Sequence, residues 1–157
     1  MIFSTQENCR GFSVCLALLE AGDSLNHPNG SLEHQSVFIY YGDVTATSNG
    51  TSKNLIVGQF NDVSDFSGSS IVYSTTNGVK GLAIIPQTIG QKYNIDLLPV
   101  GTTNITASTP QCVLLCLDKT ITCNSKNLSP LQFARILNGN SAIIDIPERS
   151  IAALLTA

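Results

Sequence analysis

The sequence predicts an all-β protein built of two tandem barrel- or sandwich-like units related by internal duplication. Three observations predict it. A short element, SKNL-x3-QF, occurs twice. Short apolar segments recur at a spacing of roughly 8 to 12 residues, separated by Gly, Asn, Asp and Ser. The turn dipeptides Asn49-Gly50, Asn77-Gly78 and Asn138-Gly139 punctuate them, each tolerating the positive φ that a tight hairpin requires.

The repeated element comes first. Ser52-Lys53-Asn54-Leu55 is followed three residues later by Gln59-Phe60, and Ser125-Lys126-Asn127-Leu128 three residues later by Gln132-Phe133. Its flanks agree. Upstream, Leu18-Leu19-Glu20-Ala21-Gly22 matches Leu97-Leu98-Pro99-Val100-Gly101, and the apolar run Val37-Phe38-Ile39-Tyr40-Tyr41 matches Leu114-Leu115-Cys116-Leu117-Asp118. Each run leads into a second short strand, Val44-Thr45-Ala46 and Ile121-Thr122-Cys123. Downstream, Ile71-Val72-Tyr73 matches Ile144-Asp145-Ile146, and Leu82-Ala83-Ile84 corresponds loosely to Ala152-Ala153-Leu154. A period of about 75 residues is too long for a solenoid and two copies are too few, so duplication of a small domain is the expected origin. The units are expected to span 1–88 and 89–157.

Within each copy the pattern is that of strands. Ser141 to Pro147 reads as a strand stopped by proline. The plausible helical stretches are Gln6 to Leu19, without clean periodicity, and Leu131 to Leu137.

Composition narrows the function classes. Charged residues make up 12% of the chain, about half the usual share, and Ser, Thr and Asn take their place. A net charge of −3 with eight Lys+Arg, dispersed along the chain, excludes a nucleic-acid partner, because neutralising phosphates needs clustered positive charge. No apolar run approaches membrane-spanning length, so no membrane partner is expected. The first ten residues lack the basic start and apolar core of a signal peptide. The expected location is therefore the cytoplasm or a virion. Five cysteines weigh against a disulfide framework. Cys112 and Cys116 share strand parity in an apolar run and read as buried small hydrophobes. Cys112, Cys116 and Cys123 lack zinc-knuckle spacing.

The first copy resembles the opening of a cupin. Leu19-Glu20-Ala21-Gly22 leads into a loop holding His27, Glu33, His34 and Gln35, then into the apolar run from Val37 and a glycine turn at Gly42-Asp43-Val44. The resemblance extends over about Phe12 to Leu155 and implies two degenerate cupin-like jelly-roll units. In cupins three or four His and Glu side chains converge inside the barrel on a divalent metal. The resemblance therefore implies His27, Glu33 and His34 as the candidate metal ligands, in the first unit alone. The departures are specific. The histidines stand seven positions apart, Gln35 sits near the expected glutamate, and no histidine follows His34. The second copy has Thr102, Thr103, Thr106 and Ser108 in the corresponding loop, and Lys119 holds the turn position of Gly42.

Other chemistry is scarce. The sequence has no G-x-S-x-G elbow, no phosphate-cradling glycine loop and no HExxH. Asp62 and Asp65 read as turn formers, Asp145 alternates with Ile144 and Ile146 and should face away from the core, and Arg135 and Arg149 are isolated. No catalytic residue and no cofactor are therefore expected. The leading expectation is a non-catalytic structural or interaction protein, such as a virion decoration or accessory protein, that takes protein partners or self-assembles into an oligomer. The alternative is a small metal-dependent cupin enzyme acting on a sugar or sugar acid, with one divalent ion in the first unit. A third reading, a carbohydrate-binding module, would use Tyr40, Tyr41, Tyr73 or Tyr93 as stacking platforms.

Overall fold

A computed structural model describes residues 2–7, 13–27, 33–66, 70–75, 80–88 and 94–157. The chain divides into two compact units, the first comprising Met1–Glu7 with Phe12–Gln91 and the second Lys92–Ala157 with Asn8–Gly11.

The first unit contains β1 (Ile2–Glu7), β2 (Ser13–Leu19), β3 (Ser24–His27), β4 (Glu33–Tyr41), β5 (Val44–Ser48), β6 (Thr51–Leu55), β7 (Phe60–Asp62), β8 (Ile71–Ser74) and β9 (Lys80–Thr88). The second contains β10 (Asn94–Leu97), β11 (Gly101–Thr106), β12 (Cys112–Asp118), β13 (Ile121–Cys123), β14 (Lys126–Leu128), β15 (Phe133–Arg135), β16 (Ser141–Ile146) and β17 (Ile151–Thr156). Both are all-β, and each folds into two antiparallel sheets.

Strand order makes the duplication explicit. The first unit's sheets run β1-β2-β9-β4-β7 and β3-β8-β5-β6; the second unit's run β10-β17-β12-β15 and β11-β16-β13-β14. Replacing β2 through β9 by β10 through β17 converts one pair of sheets into the other, with β1 as the single extra edge strand. Irregularities repeat as well. The ladder between β4 and β9 slips between Ile39 and Tyr41, and that between β12 and β17 slips between Cys116 and Asp118, which are the positions that align in sequence. The β5–β6 hairpin turns on Asn49 (φ 49°) and Gly50 (φ 78°), and the β13–β14 hairpin on Asn124 (φ 49°) and Ser125 (φ 62°). Positive φ at both central residues gives the primed turn that matches strand twist. Lys119 (φ 57°) keeps the left-handed conformation of Gly42 (φ 84°).

The helical expectations fail. Gln6 and Glu7 end β1 and Ser13–Leu19 form β2, while Leu131 to Leu137 contains β15. The run Val-Cys-Leu-Ala-Leu-Leu carries no 3.6-residue period, and both edges of β2 are hydrogen-bonded, to β1 and to β9. Tertiary pairing decides such a segment. The described residues contain a single three-residue 3-10 turn, Ser64–Phe66, and no helix long and apolar enough to cross a membrane.

Alternation places the cores. In β16 the odd positions are exposed and Ala142, Ile144 and Ile146 are buried, as period-2 geometry requires; Asp145 faces outward, as expected. The repeated leucines, Leu55 and Leu128, are buried in their respective cores. β12 is buried on both faces from Cys112 through Leu117, which explains its unbroken apolar sequence.

Candidate functional site

The interior between the two sheets is where a barrel of this kind would hold a ligand, so its lining decides what chemistry is available. In the first unit it is built from Ala17 and Leu19 of β2, Leu25 of β3, Val37 and Ile39 of β4, Val44 and Ala46 of β5, Leu55 of β6, Val63 and Phe66 after β7, and Ile71 and Tyr73 of β8. In the second it is Ala107, Cys112, Leu114, Cys116, Ile121, Leu128, Ile136, Ala142, Ile144, Ile146 and Ala152. All but Tyr73 and the two cysteines are hydrocarbon.

The thiols do not alter that character. Burial pushes Cys112 upward and Cys116 to about 11, so both remain protonated at neutral pH and are poor metal donors. Cys116 Sγ donates to the Lys119 carbonyl at 2.8 Å. Cys112 and Cys116 face one side of β12, as their parity implied. Desolvation raises the Tyr73 phenol far above its ordinary range.

The candidate ligands divide between sheets at the level of the backbone. His27 ends β3, where its register partner is Ile71 of β8. Glu33 and His34 begin β4, opposite Thr88 and Gln87 of β9. Six chain steps from His27 to Glu33 span at most about 20 Å. The side chains of His27, Glu33, His34 and Gln35 lie outside the described residues. Among the described residues no group of three or more His, Cys, Asp and Glu gathers as metal ligands would. The second unit's interior offers no imidazole and no carboxylate, so its donor set does not fit a divalent ion. In the first unit β8 presents Ile71 and Tyr73 to the interior.

The remaining polar candidates are structural. Lys53 Nζ donates to Asp65 Oδ1 and to the Asp62 carbonyl, both at 2.9 Å, and stands 5.7 Å from the centre of the Phe66 ring. Asp145 accepts from Thr102 Oγ1 at 3.1 Å. Arg149 sits in a turn with φ 66°. Arg135 lies opposite Val113, so its side chain rises from the face of the sheet away from the interior; its Nε is buried without a hydrogen-bond partner. Tyr73 is fully buried and Tyr40 packs edge-on against Phe38 at 5.1 Å, which leaves Tyr41 as the exposed tyrosine among the described residues. Tyr93 lies outside them.

One functional-looking residue was missed by sequence reasoning. Asn61 of β7 is buried, and its Nδ2 donates to the carbonyls of Ile56 (2.9 Å), Gln59 (3.2 Å) and Val37 (3.3 Å), while Oδ1 accepts from the Ile56 N–H (2.8 Å). It clamps the β6–β7 loop; an Asn inside Asn-Asp-Val-Ser-Asp gave no signal beyond a turn.

No family model and no curated protein sequence matches the chain. Solved structures do match. The protein YhaK from Escherichia coli superimposes with a TM-score of 0.74 at 11% identity, covering 99% of this chain and 93% of that one. A cupin 2 conserved barrel domain protein from Leptotrichia buccalis gives 0.55 at 10% identity over 98% and 86% of the two chains. The bacterial pirin YhhW from Escherichia coli, in complex with nickel(II), gives 0.64 at 12% identity over 94% and 81%. The chain has the fold of the cupin superfamily.

Proposed function

We propose that the chain is a non-catalytic interaction protein built of two degenerate cupin barrels, which acts by taking protein partners or by self-assembly, for instance as an accessory component of a virion. The observation that carries this reading is the lining of the second barrel, whose interior is alkyl apart from two protonated thiols and holds no imidazole and no carboxylate. The surface adds support. Tyr41, Ile56 and Val57 at one end of β4 are 48%, 59% and 47% exposed, whereas the second unit carries Asp118, Ser129 and Pro130 at the corresponding positions. The fold therefore does not require apolar side chains there, and grouped exposed apolar residues mark interaction surfaces.

A second reading keeps a divalent metal in the first unit, with His27, Glu33 and His34 as ligands, and a sugar or sugar acid as substrate. Its support is that the pirin YhhW structure holds nickel(II) in this fold and that the three residues cluster in sequence. Metal analysis and native mass of the purified chain separate the two. The interaction reading expects substoichiometric metal and a mass above the monomer, or a co-purifying protein. One tightly held metal ion per chain, lost in His27→Ala and His34→Ala, would replace it by the enzyme reading. A metal-free monomer at high concentration, without a partner, would sink both.

A further inference from the structure

The strands at the margins of the four sheets are not alike. An edge strand offers a row of unpaired N–H and C=O groups, which folded proteins blunt with a charge, a proline, a bulge or brevity. Among the described residues six of the eight edges carry a charge, at Glu7, Lys53, Asp62, Asp96, Lys126 and Arg135. A seventh edge, β3, has four residues. The eighth, β11, has none of these guards. Its six residues, Gly-Thr-Thr-Asn-Ile-Thr, hold no charge and no proline, and they pair with β16 in unbroken register.

The free flank of β11 is open and held in shape. Among the described residues the backbone of Thr102 to Thr106 makes no hydrogen bond beyond β16. Thr103 and Ile105, which point inward, are only half-buried, whereas their partners Ile144 and Ala142 on β16 are buried. Thr102 Oγ1 donates to Asp145 Oδ1 at 3.1 Å, and the hydroxyls of Thr106 and Ser141 share a hydrogen bond at 2.7 Å. Both ends of the strand are therefore tied to its neighbour, and docking would order little further chain.

We propose that the β11 edge pairs, antiparallel, with β11 of a second copy of this chain, joining two sheets of four strands into one. The proposal rests on the interaction reading above and names its self-assembly surface. Gly101, with φ 114°, is not extended, so the two-fold axis that pairs most of the extended residues passes through Asn104. It sets Thr102 against Thr106 of the second copy, Thr103 against Ile105, and Asn104 against itself, and no charge meets another. The nearest charge on that face, Asp145, lies one strand back. Its counterpart is then three strand spacings away, at least about 14 Å, beyond the screening length at physiological salt. Ile143, 56% exposed and in register with Asn104, borders the seam in both copies. Five pairs of residues bury less than a standard interface, so the dimer forms at high concentration and exchanges.

The test is sedimentation of the full chain over a concentration series, beside Asn104→Lys, Asn104→Asp and an equimolar mixture of the two. The unmodified chain is expected to move towards twice 16.7 kDa as concentration rises, with little dependence on salt. Either variant alone opposes like charges across the axis and should dimerise more weakly by about fivefold or more. The mixture sets Lys against Asp and should recover the association, most fully at low salt. Asn104 is exposed, and recovery on mixing cannot come from misfolded chains. A chain that stays monomeric at every concentration would overturn the proposal, as would an assembly that neither variant weakens, or variants whose mixture does not recover. An assembly unmoved by both variants leaves the interaction reading in place through another surface; a monomer without any partner sinks that reading as well.

Discussion

Gly58 and Leu131 hold the same place in the two units. The Gly58 N–H donates to the Ile39 carbonyl and the Leu131 N–H to the Cys116 carbonyl, each at 2.8 Å, with φ of 79° and 68°. The contact fixes the loop that follows SKNL against an interior strand of the sheet, β4 in one unit and β12 in the other. It also shows a left-handed position surviving the loss of its glycine, because Leu131 is buried and its packing offsets the backbone cost.

That comparison predicts the effect of Gly58→Ala. A Cβ there meets nothing within 4 Å, so the change introduces backbone strain without a clash and without Leu131's compensating burial. The variant should lose about 1 kcal/mol, read as a lower urea midpoint at unchanged m-value.

Lys119→Gly should act in the opposite direction. Lys119 is exposed and left-handed where the first unit has Gly42, and the contacts here involve its backbone: its N–H donates to Asp118 and its carbonyl accepts from Cys116. Removing the side chain relieves strain and keeps both. A gain of about 0.5–1 kcal/mol follows, visible as a raised thermal midpoint.

Asn61→Leu should be the most damaging of these changes. The substitution keeps approximate volume but strips partners from the Ile56 N–H and from the carbonyls of Ile56, Gln59 and Val37. The expected loss is about 2–4 kcal/mol. Faster amide exchange across 56–61 should accompany it. A loss below about 1 kcal/mol would show that water replaces the clamp.

Alkaline pH tests the Cys116 environment. Its folded-state pKa, about 11, lies above the ordinary 9.0, so the folded state holds this proton more tightly than the unfolded chain does. The associated stability is complete below pH 9 and is lost as pH rises towards 11. Tyr73, also raised, adds a loss in the same direction from pH 10 upward. Cys116→Val should therefore make the pH–stability profile less steep above pH 9 while leaving the components of Cys112, Cys123 and Tyr73, which burial also raises; an unchanged profile would contradict the burial argument.

Much of the architecture was legible because duplication acts as an internal control. Leu55 and Leu128 repeat in sequence and are both buried; Val37–Tyr41 and Leu114–Asp118 repeat and share even the bulge after Ile39 and Cys116. Other strands escaped: the stretches holding His27, Glu33, His34 and Gln35, and Thr102 to Thr106, were expected as loops and lie in β3, β4 and β11. Ser13–Leu19 carries no clean period because its partners lie elsewhere in the chain, and Phe133–Arg135 is too short for alternation to emerge. Strand parity in the apolar run placed Cys112 and Cys116 in the second unit's interior, where they stand.

The topology also has a temporal consequence. In the first unit β2 pairs with β9, and β4 is enclosed between β9 and β7, so Leu16 finds Ala83 across a separation of most of the unit. Pairings this distant in sequence make folding slow relative to local hairpins. During synthesis the β5–β6 hairpin can form as soon as it clears the ribosome, but the larger sheet must wait for residues 80–88. Until they emerge, β2 and β4 expose unpaired edges. A stall placed shortly before that strand should yield a nascent chain that is protease-sensitive and prone to associate, and one placed well after it a chain that resists cleavage.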